Sequence, residues 1–100
     1  MKYTIEFTQR AANHIRALKK FEQQKILDTI EQHLQYEPTK ETRNRKHLGQ
    51  NDVADWELRI GNHRVFYDVI IEENQQRVKI KAVGYKIHNT LYIEGKEITL

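Results

Sequence analysis

Two arginines beside a tight turn are the residues of this sequence best suited to bind an anion. Gly61-Asn62 lies between two stretches of alternating apolar and polar residues, which is the pattern of a β-hairpin closed by a two-residue turn. Such a turn fixes the pairing of the strands, so Arg59 should lie directly opposite Arg64. Like charges placed side by side cost a sheet about 0.2–1 kcal/mol. We therefore interpret the pair as an anion site, suited to a polyanion such as RNA.

Phe66 and Lys81 are expected on the same face of the sheet as the two arginines. Residues two apart in a strand point to one side, which assigns Phe66 to the arginine face, and a four-residue loop before the next strand would place Lys81 opposite it. An exposed aromatic ring among cations is a stacking surface for an unpaired base. Two alternatives are that Glu57 neutralises the arginines on an ordinary solvated face, and that the C-terminal tail covers Phe66.

A second group of basic residues follows Pro38, the only proline of the chain. Arg45 and Lys46 belong to a polar, basic loop, and both are candidates for contacts with an RNA backbone. The alternative is a solvated loop without a binding role.

The elements that would position these residues form an α+β domain. Alternating residues predict an N-terminal strand, Thr8 offers an N-cap hydroxyl to a first helix, and apolar residues at helical spacing predict a second helix that ends near Tyr36. The short linker between them makes the helices an antiparallel hairpin. Further strands are predicted at residues 53–60, 63–71 and 77–83. We expect one antiparallel sheet with both helices on one face and the other face free for function.

The composition limits the kinds of protein this can be. One hundred residues with 38% hydrophobic side chains predict a single domain over residues 1–100. A net charge of +3 favours an acidic partner. The absence of cysteine excludes disulfides and suits a reducing cytoplasm, and we expect no export signal and no membrane span. The five histidines lack metal-ligand spacing, so neither a metal nor a cofactor is expected.

The hairpin sequence resembles the signature of the RelE/ParE superfamily of bacterial toxins. The matching residues run from Trp56 to Tyr67, with Arg45–Gly49 before them and Gly84, Lys86 and Tyr92 after them. The order of the elements agrees along nearly the whole chain. The resemblance implies a RelE-like fold and the toxin of a toxin–antitoxin system, held inactive by a cognate antitoxin protein.

The resemblance also implies a catalytic set of Arg64, Lys86, His88 and Tyr92. RelE-like members cut messenger RNA at the ribosome without a metal. In these enzymes, an arginine at the position of Arg64 contacts the scissile phosphate. A residue at the position of Tyr92 carries a hydroxyl that positions or deprotonates the substrate. Lys86 stands where those enzymes have a second arginine. His88 is the candidate proton carrier. Attack by a ribose 2′-hydroxyl needs a base, an acid and cations near the developing charge.

Three functions remain open at this point. The first, which is the leading hypothesis, is a metal-independent endoribonuclease that works with the ribosome; the resemblance, the arginine pair and the group of Lys86, His88 and Tyr92 support it. The second is a non-catalytic inhibitor of DNA gyrase, the activity of ParE-like members, and it is favoured because Asp55 and Glu57 occupy positions where RelE-like enzymes carry two catalytic lysines. The third is a RelE-like binding module without toxicity.

Overall fold

The structure is a computed structural model that describes residues 1–100. Its elements in chain order are β1 Thr4–Phe7, α1 Gln9–Arg16, α2 Lys20–Leu34, β2 Arg45–His47, β3 Trp56–Ile60, β4 His63–Glu72, β5 Gln75–Ile87, β6 Thr90–Ile93 and β7 Lys96–Ile98. The predicted α+β class, with an N-terminal strand, two helices and a following series of strands, is confirmed. Neither helix is long and apolar enough to cross a membrane.

The two helices begin and end where local chemistry favours it. The Thr8 hydroxyl oxygen accepts the Ala11 N–H at 3.0 Å, as an N-cap residue does at the start of a helix. The second helix, α2, ends at Leu34, slightly before the predicted end near Tyr36. Pro38 disfavours helical geometry in Glu37 and so prevents the helix from continuing to that residue. The apolar side chains at helical spacing face the sheet and are buried: Ala11, Ile15, Ile26, Ile30 and Leu34.

Six strands form an antiparallel series, and β1 is the exception. The series runs in the order β2-β3-β4-β5-β6-β7. The first strand instead pairs in parallel with β5, where Thr4 lies opposite Arg77 and Phe7 opposite Ile80. This pairing is parallel because the helices intervene between β1 and the rest of the sheet, so the chain can return in the same direction. The fifth strand therefore has β4 on one side and both β1 and β6 on the other.

The pairing of β3 with β4 agrees with the prediction. Arg59 lies opposite Arg64. Gly61 has a φ of +57°, and a positive φ at the first turn residue alone is the pattern of a type II′ turn, which matches the twist of the strands.

The predicted pairing of β4 with β5 is confirmed from the turn to Tyr67, where Asp68 lies opposite Lys79, and is wrong by one residue from Phe66 on. A β-bulge between Phe66 and Tyr67 shifts the register, so Ala82, and not Lys81, lies opposite Phe66. The side chain of Lys81 still reaches the same face, because its Nζ lies 3.6 Å from a carboxylate oxygen of Asp68.

The sheet carries a hydrophobic core on each face. The first core lies under the helices and contains Trp56, Leu58, Val65 and Tyr67 among its strand residues. The second core lies on the opposite face and consists of Ala54, Phe66, Ala82, Leu91 and Ile93, with Leu48, Val53 and Ile98 packed against it. The expectation that this face is free is therefore wrong. Strand β6, strand β7 and the loop before β3 cover it.

A glycine allows the C-terminal strands to fold over this face. A Cβ atom at Gly84 would lie 2.5 Å from the carbonyl oxygen of Tyr92 and 2.9 Å from the side chain of Ile93. Only a residue without a Cβ permits this approach. The sheet can thus curl at Gly84 and bring Leu91 and Ile93 over Phe66.

Candidate functional site

Arg64 is the central cation of the candidate site. It is only 7% exposed, and its Nη1 donates to the carbonyl oxygens of Gly61 and His63 at 2.9 Å each. Its Nε is buried and has no hydrogen-bond partner. Burial lowers the pKa of Arg64; the Glu57 carboxylate raises it and the Arg59 guanidinium lowers it further. The tight turn thus holds an oriented guanidinium whose buried Nε donor is still unused.

A polar cleft includes Arg59, the strand partner of Arg64. It has a volume of about 260 Å³ and is lined by polar residues alone, among them Arg43, Lys46, Glu57 and Arg59. We call it the basic cleft. Lys46 lies opposite Glu57 on the neighbouring strand, so both belong to the arginine face, and Arg59 is exposed. Glu57 is only 7% exposed and partly offsets the positive charge, as the alternative interpretation of the sequence expected.

Arg45 makes structural contacts, and its predicted contact with RNA stays a prediction. It lies opposite Leu58 and therefore faces the helices, and it is 9% exposed. Its Nε donates to the Lys40 carbonyl at 3.0 Å and its Nη1 donates to the His33 carbonyl. The guanidinium thus binds the His33 carbonyl in the last turn of α2, where a cation is favoured by unpaired carbonyls and by the helix dipole, and the Lys40 carbonyl in the following loop.

Phe66 is not available for base stacking. Its side chain is completely buried in the second core, below Leu91 and Ile93. The prediction of an exposed stacking surface is wrong because the C-terminal strands cover the ring.

The expected catalytic residues do not all lie on one face. Lys86 has the same strand parity as Gly84, which lies opposite Arg64, so Lys86 and Arg64 share a face. Tyr92 lies opposite Tyr85 on the other face, and the two rings stack at a centroid distance of 5.5 Å. His88 sits in the turn between β5 and β6 with a φ of +57°. The catalytic roles of these four residues stay predictions.

The sequence interpretation missed one polar cluster that joins α1 to the turn between β6 and β7. The Val83 N–H donates to His14 Nδ1 at 3.0 Å, which leaves the proton of a neutral ring on Nε2, 2.7 Å from a Glu94 carboxylate oxygen. Arg10 donates to the same oxygen at 2.9 Å. These hydrogen bonds, that of His14 first, lower the pKa of Glu94 to about 2. No local signal in the sequence connects residues so far apart.

The fold and the arginine hairpin are those of a RelE/ParE superfamily toxin. The chain is similar in structure to the crystal structure of the toxin–antitoxin complex RelBE2 from Mycobacterium tuberculosis, with a TM-score of 0.68 and 23% sequence identity over 86% of this chain and 100% of the matched chain. Residues 5–86 match the family described as ParE toxin of type II toxin-antitoxin system, parDE, and the chain belongs to this family. No curated protein matches the sequence significantly. The predicted superfamily is confirmed, and with it the toxin component of a type II system.

Proposed function

We propose that this toxin acts by binding and inhibiting a protein target, without catalysing a reaction, and that the target is DNA gyrase, as the resemblance to ParE-like members implies. The observation that carries the proposal is the direction of the Tyr92 side chain. Tyr92 pairs with Tyr85, whereas Arg64 pairs with the adjacent residue Gly84, so the two side chains leave their strands toward opposite sides. The Tyr92 ring stacks on Tyr85. An inhibitor needs a complementary surface but no proton-transfer groups.

The basic cleft and Arg64 are the surface proposed for this contact. Exposed cations at Arg43, Lys46 and Arg59 suit an acidic region of a partner and accelerate its association through long-range attraction. The guanidinium of Arg64, which is 7% exposed, suits a carboxylate or a phosphate of the partner, since such groups make strong hydrogen bonds with arginine.

A cognate antitoxin is the proposed natural partner. Membership of a family of type II toxins supports it, as does the fold shared with a chain of a toxin–antitoxin complex. No cofactor enters the proposed activity. The cytoplasm, where DNA gyrase and ribosomes both lie, is the proposed compartment.

Endoribonuclease activity at the ribosome is the second candidate. It is favoured by the buried Glu57 carboxylate, which lies on the same face as Arg64 and influences its charge. A carboxylate could accept the proton of a ribose 2′-hydroxyl while Arg64 and Lys86 stabilise the charge on the phosphate. This route uses neither Phe66 nor Tyr92.

Expression in a bacterial host, followed by two measurements, separates these candidates. We expect arrested growth with intact messenger RNA ends, and inhibition of DNA supercoiling by purified gyrase when the purified toxin is added. Arg59→Ala should weaken that inhibition by about tenfold, a loss typical of one good charged contact. Arg16→Ala, which removes an exposed arginine from α1, is the matched control and should leave inhibition unchanged.

Two outcomes would contradict the proposal. Cuts at defined codon positions that disappear in Arg64→Lys would establish the ribonuclease instead. Normal growth of cells that express the folded chain without any antitoxin would exclude both toxic activities and leave a binding module.

A further inference from the structure

The outer end of β4 has a free edge. Strand β3 pairs with β4 only as far as Trp56 opposite Tyr67, and no other strand lies beside residues 68–72 on that side. At this end of the sheet β5 lies between β1 and β4, so β4 is the outermost strand. An unpaired strand edge of this kind is a template for another extended chain.

One hydrogen bond establishes the direction of the backbone groups along β5 and β4. The Ile80 carbonyl accepts the Thr8 N–H, so the backbone groups of Ile80 point to β1. Groups alternate in direction along a strand, and those of Lys79 therefore point to β4. Asp68 lies opposite Lys79, so its own backbone groups point back to β5.

Val69 and Ile71 carry the outward backbone groups of the free edge, by the same alternation. None of the backbone hydrogen bonds outside the helices and strands involves either residue. Edge strands in native proteins are usually protected by a proline, a charge, a bulge or a covering segment. The segment Val69-Ile70-Ile71 contains no proline and no charge, and the Ile71 side chain is 65% exposed. The edge is therefore open to another strand.

We propose that β4 of a second copy of this chain pairs with this edge in the antiparallel direction and forms a dimer with one continuous sheet. A twofold axis at Ile70 places Val69 of each copy opposite Ile71 of the other. These are the residues whose backbone groups point outward, so the pairing satisfies the outward N–H and C=O groups of both residues in both copies. Apolar side chains meet apolar side chains at each of these positions, which favours a copy of the same segment as the occupant.

The charges around the edge are balanced and select neither an acidic nor a basic partner. The ionised residues at this end of the sheet are equal in number of each sign: Asp68, Glu72, Glu73, Arg77, Lys79 and Lys81. The pairing places Asp68 opposite Glu72 of the other copy. Each of these carboxylates has a cation in its own chain, since Lys81 Nζ lies 3.6 Å from Asp68 and Arg77 Nη2 donates to Glu72 at 2.7 Å. The like charges therefore weaken the dimer without preventing it.

The dimer is expected to be weak because the contact is one short edge. Stable interfaces bury roughly 1,200–2,000 Å², and smaller ones belong to transient contacts. We expect a dissociation constant on the order of 100 µM. The twofold axis is perpendicular to the sheet, so both copies turn the face that carries Arg64 to the same side. Self-association goes beyond the proposed function and does not depend on the target.

Sedimentation velocity of the purified full chain, from about 10 µM to about 1 mM, tests the dimer. We expect monomers at the low end and mostly dimers at the high end. Amide hydrogen exchange locates the contact. At about 1 mM roughly one chain in five is still monomeric, so the amides of Val69 and Ile71 should exchange about fivefold more slowly than at about 10 µM. The amides of Asp68 and Ile70 already face β5 and are the internal control.

Variants of the edge should change the dimer in both directions. Ile71→Lys should weaken it by about tenfold or more, because a lysine on an edge strand opposes pairing. The matched control is Ile87→Lys at the far end of β5, which replaces an isoleucine that is 53% exposed and should leave the dimer unchanged. Ile71→Pro removes an N–H that the monomer does not use, so it should weaken the dimer more than Ile71→Ala. Glu72→Gln should strengthen the dimer by about two- to tenfold, because it removes a like-charge pair in two places.

Three results would overturn the proposal. The first is a chain that stays monomeric up to about 1 mM. The second is a dimer that Ile71→Lys and Ile87→Lys weaken equally, or one that protects the amides of Ile5 and Phe7 in place of those of β4. The third is protection of Val69 and Ile71 only when another protein is added, which would assign the edge to that protein. Loss of toxicity in the unmodified chain would refute the proposed function and leave these measurements unaffected.

Discussion

Replacing Phe66 by alanine tests whether its ring belongs to a second core or to a binding surface. The side chain is completely buried in contact with the residues of the second core. Truncation removes the favourable transfer of the ring from water and leaves a cavity, and Phe→Ala changes at such sites cost about 3–5 kcal/mol. The free energy of unfolding of a small domain is roughly 5–15 kcal/mol. Phe66→Ala is therefore expected to lose a large share of the stability of this chain.

Urea unfolding followed by tryptophan fluorescence measures this loss. Trp56 is the only tryptophan; it is 8% exposed and stacks against Tyr67 in the first core, so its emission reports global unfolding. Phe21→Ala removes a ring that is 70% exposed and serves as the control, with an expected change within about 0.5 kcal/mol. Phe66→Leu, expected to cost about 1–2 kcal/mol, keeps the test possible if the alanine variant cannot be purified.

Equal stability of Phe66→Ala and Phe21→Ala would contradict the burial of Phe66 in the second core. If Phe66→Ala instead lost binding to the target or to RNA at unchanged stability, Phe66 would belong to an exposed binding surface. This result would also mean that the C-terminal strands do not cover this face of the sheet.

Two further predictions concern buried and ionised contacts. Tyr67→Phe removes a hydroxyl that donates to the Pro38 carbonyl at 2.7 Å in the interior, and we expect it to lower the free energy of unfolding in urea by about 1–3 kcal/mol. Tyr36→Phe, at an exposed position, is the control and should leave this free energy unchanged. Equal stability of the two variants would show that the hydrogen bond does not contribute. Glu94→Gln removes a carboxyl whose pKa is lowered from 4.5 to about 2 by hydrogen bonds, first from His14 and then from Arg10. Because the unfolded chain binds this proton at higher pH than the folded chain, the contribution of Glu94 to stability is complete above pH 4.5 and is lost as the pH falls to about 2. Thermal unfolding from pH 7 downward should show the unmodified chain losing its advantage over Glu94→Gln in that range, and a difference that does not vary with pH would contradict the assignment.

The features fixed by local rules could be predicted from the sequence. The Gly61-Asn62 turn determines the register of the hairpin, because a two-residue loop leaves no freedom in pairing. The placement of Arg59 opposite Arg64 followed from it. Helix α1 was likewise predictable from Thr8 and from the spacing of apolar residues.

The features fixed by distant contacts could not be predicted. No local pattern marks the bulge after Phe66, which displaced Lys81 by one position. The burial of Phe66 depends on residues 91–93 folding back over the sheet, which requires the close approach at Gly84. Arg45 appeared to belong to a solvated basic loop, and only its pairing with Leu58 shows that it faces the helices.

The parallel pairing of β1 with β5 sets the order in which the chain can acquire its shape during synthesis. The hydroxyl of Thr8 bonds to the carbonyl of Lys81, 73 positions later. Contacts of such long separation must wait for both segments to be present, and a nascent chain leaves the ribosome from its N-terminus. The first strand thus has no strand to pair with until β5 has emerged. A product released before that point would lack β5, the strand that pairs with both β1 and the strand of Arg64, so the complete sheet forms only when translation is nearly finished.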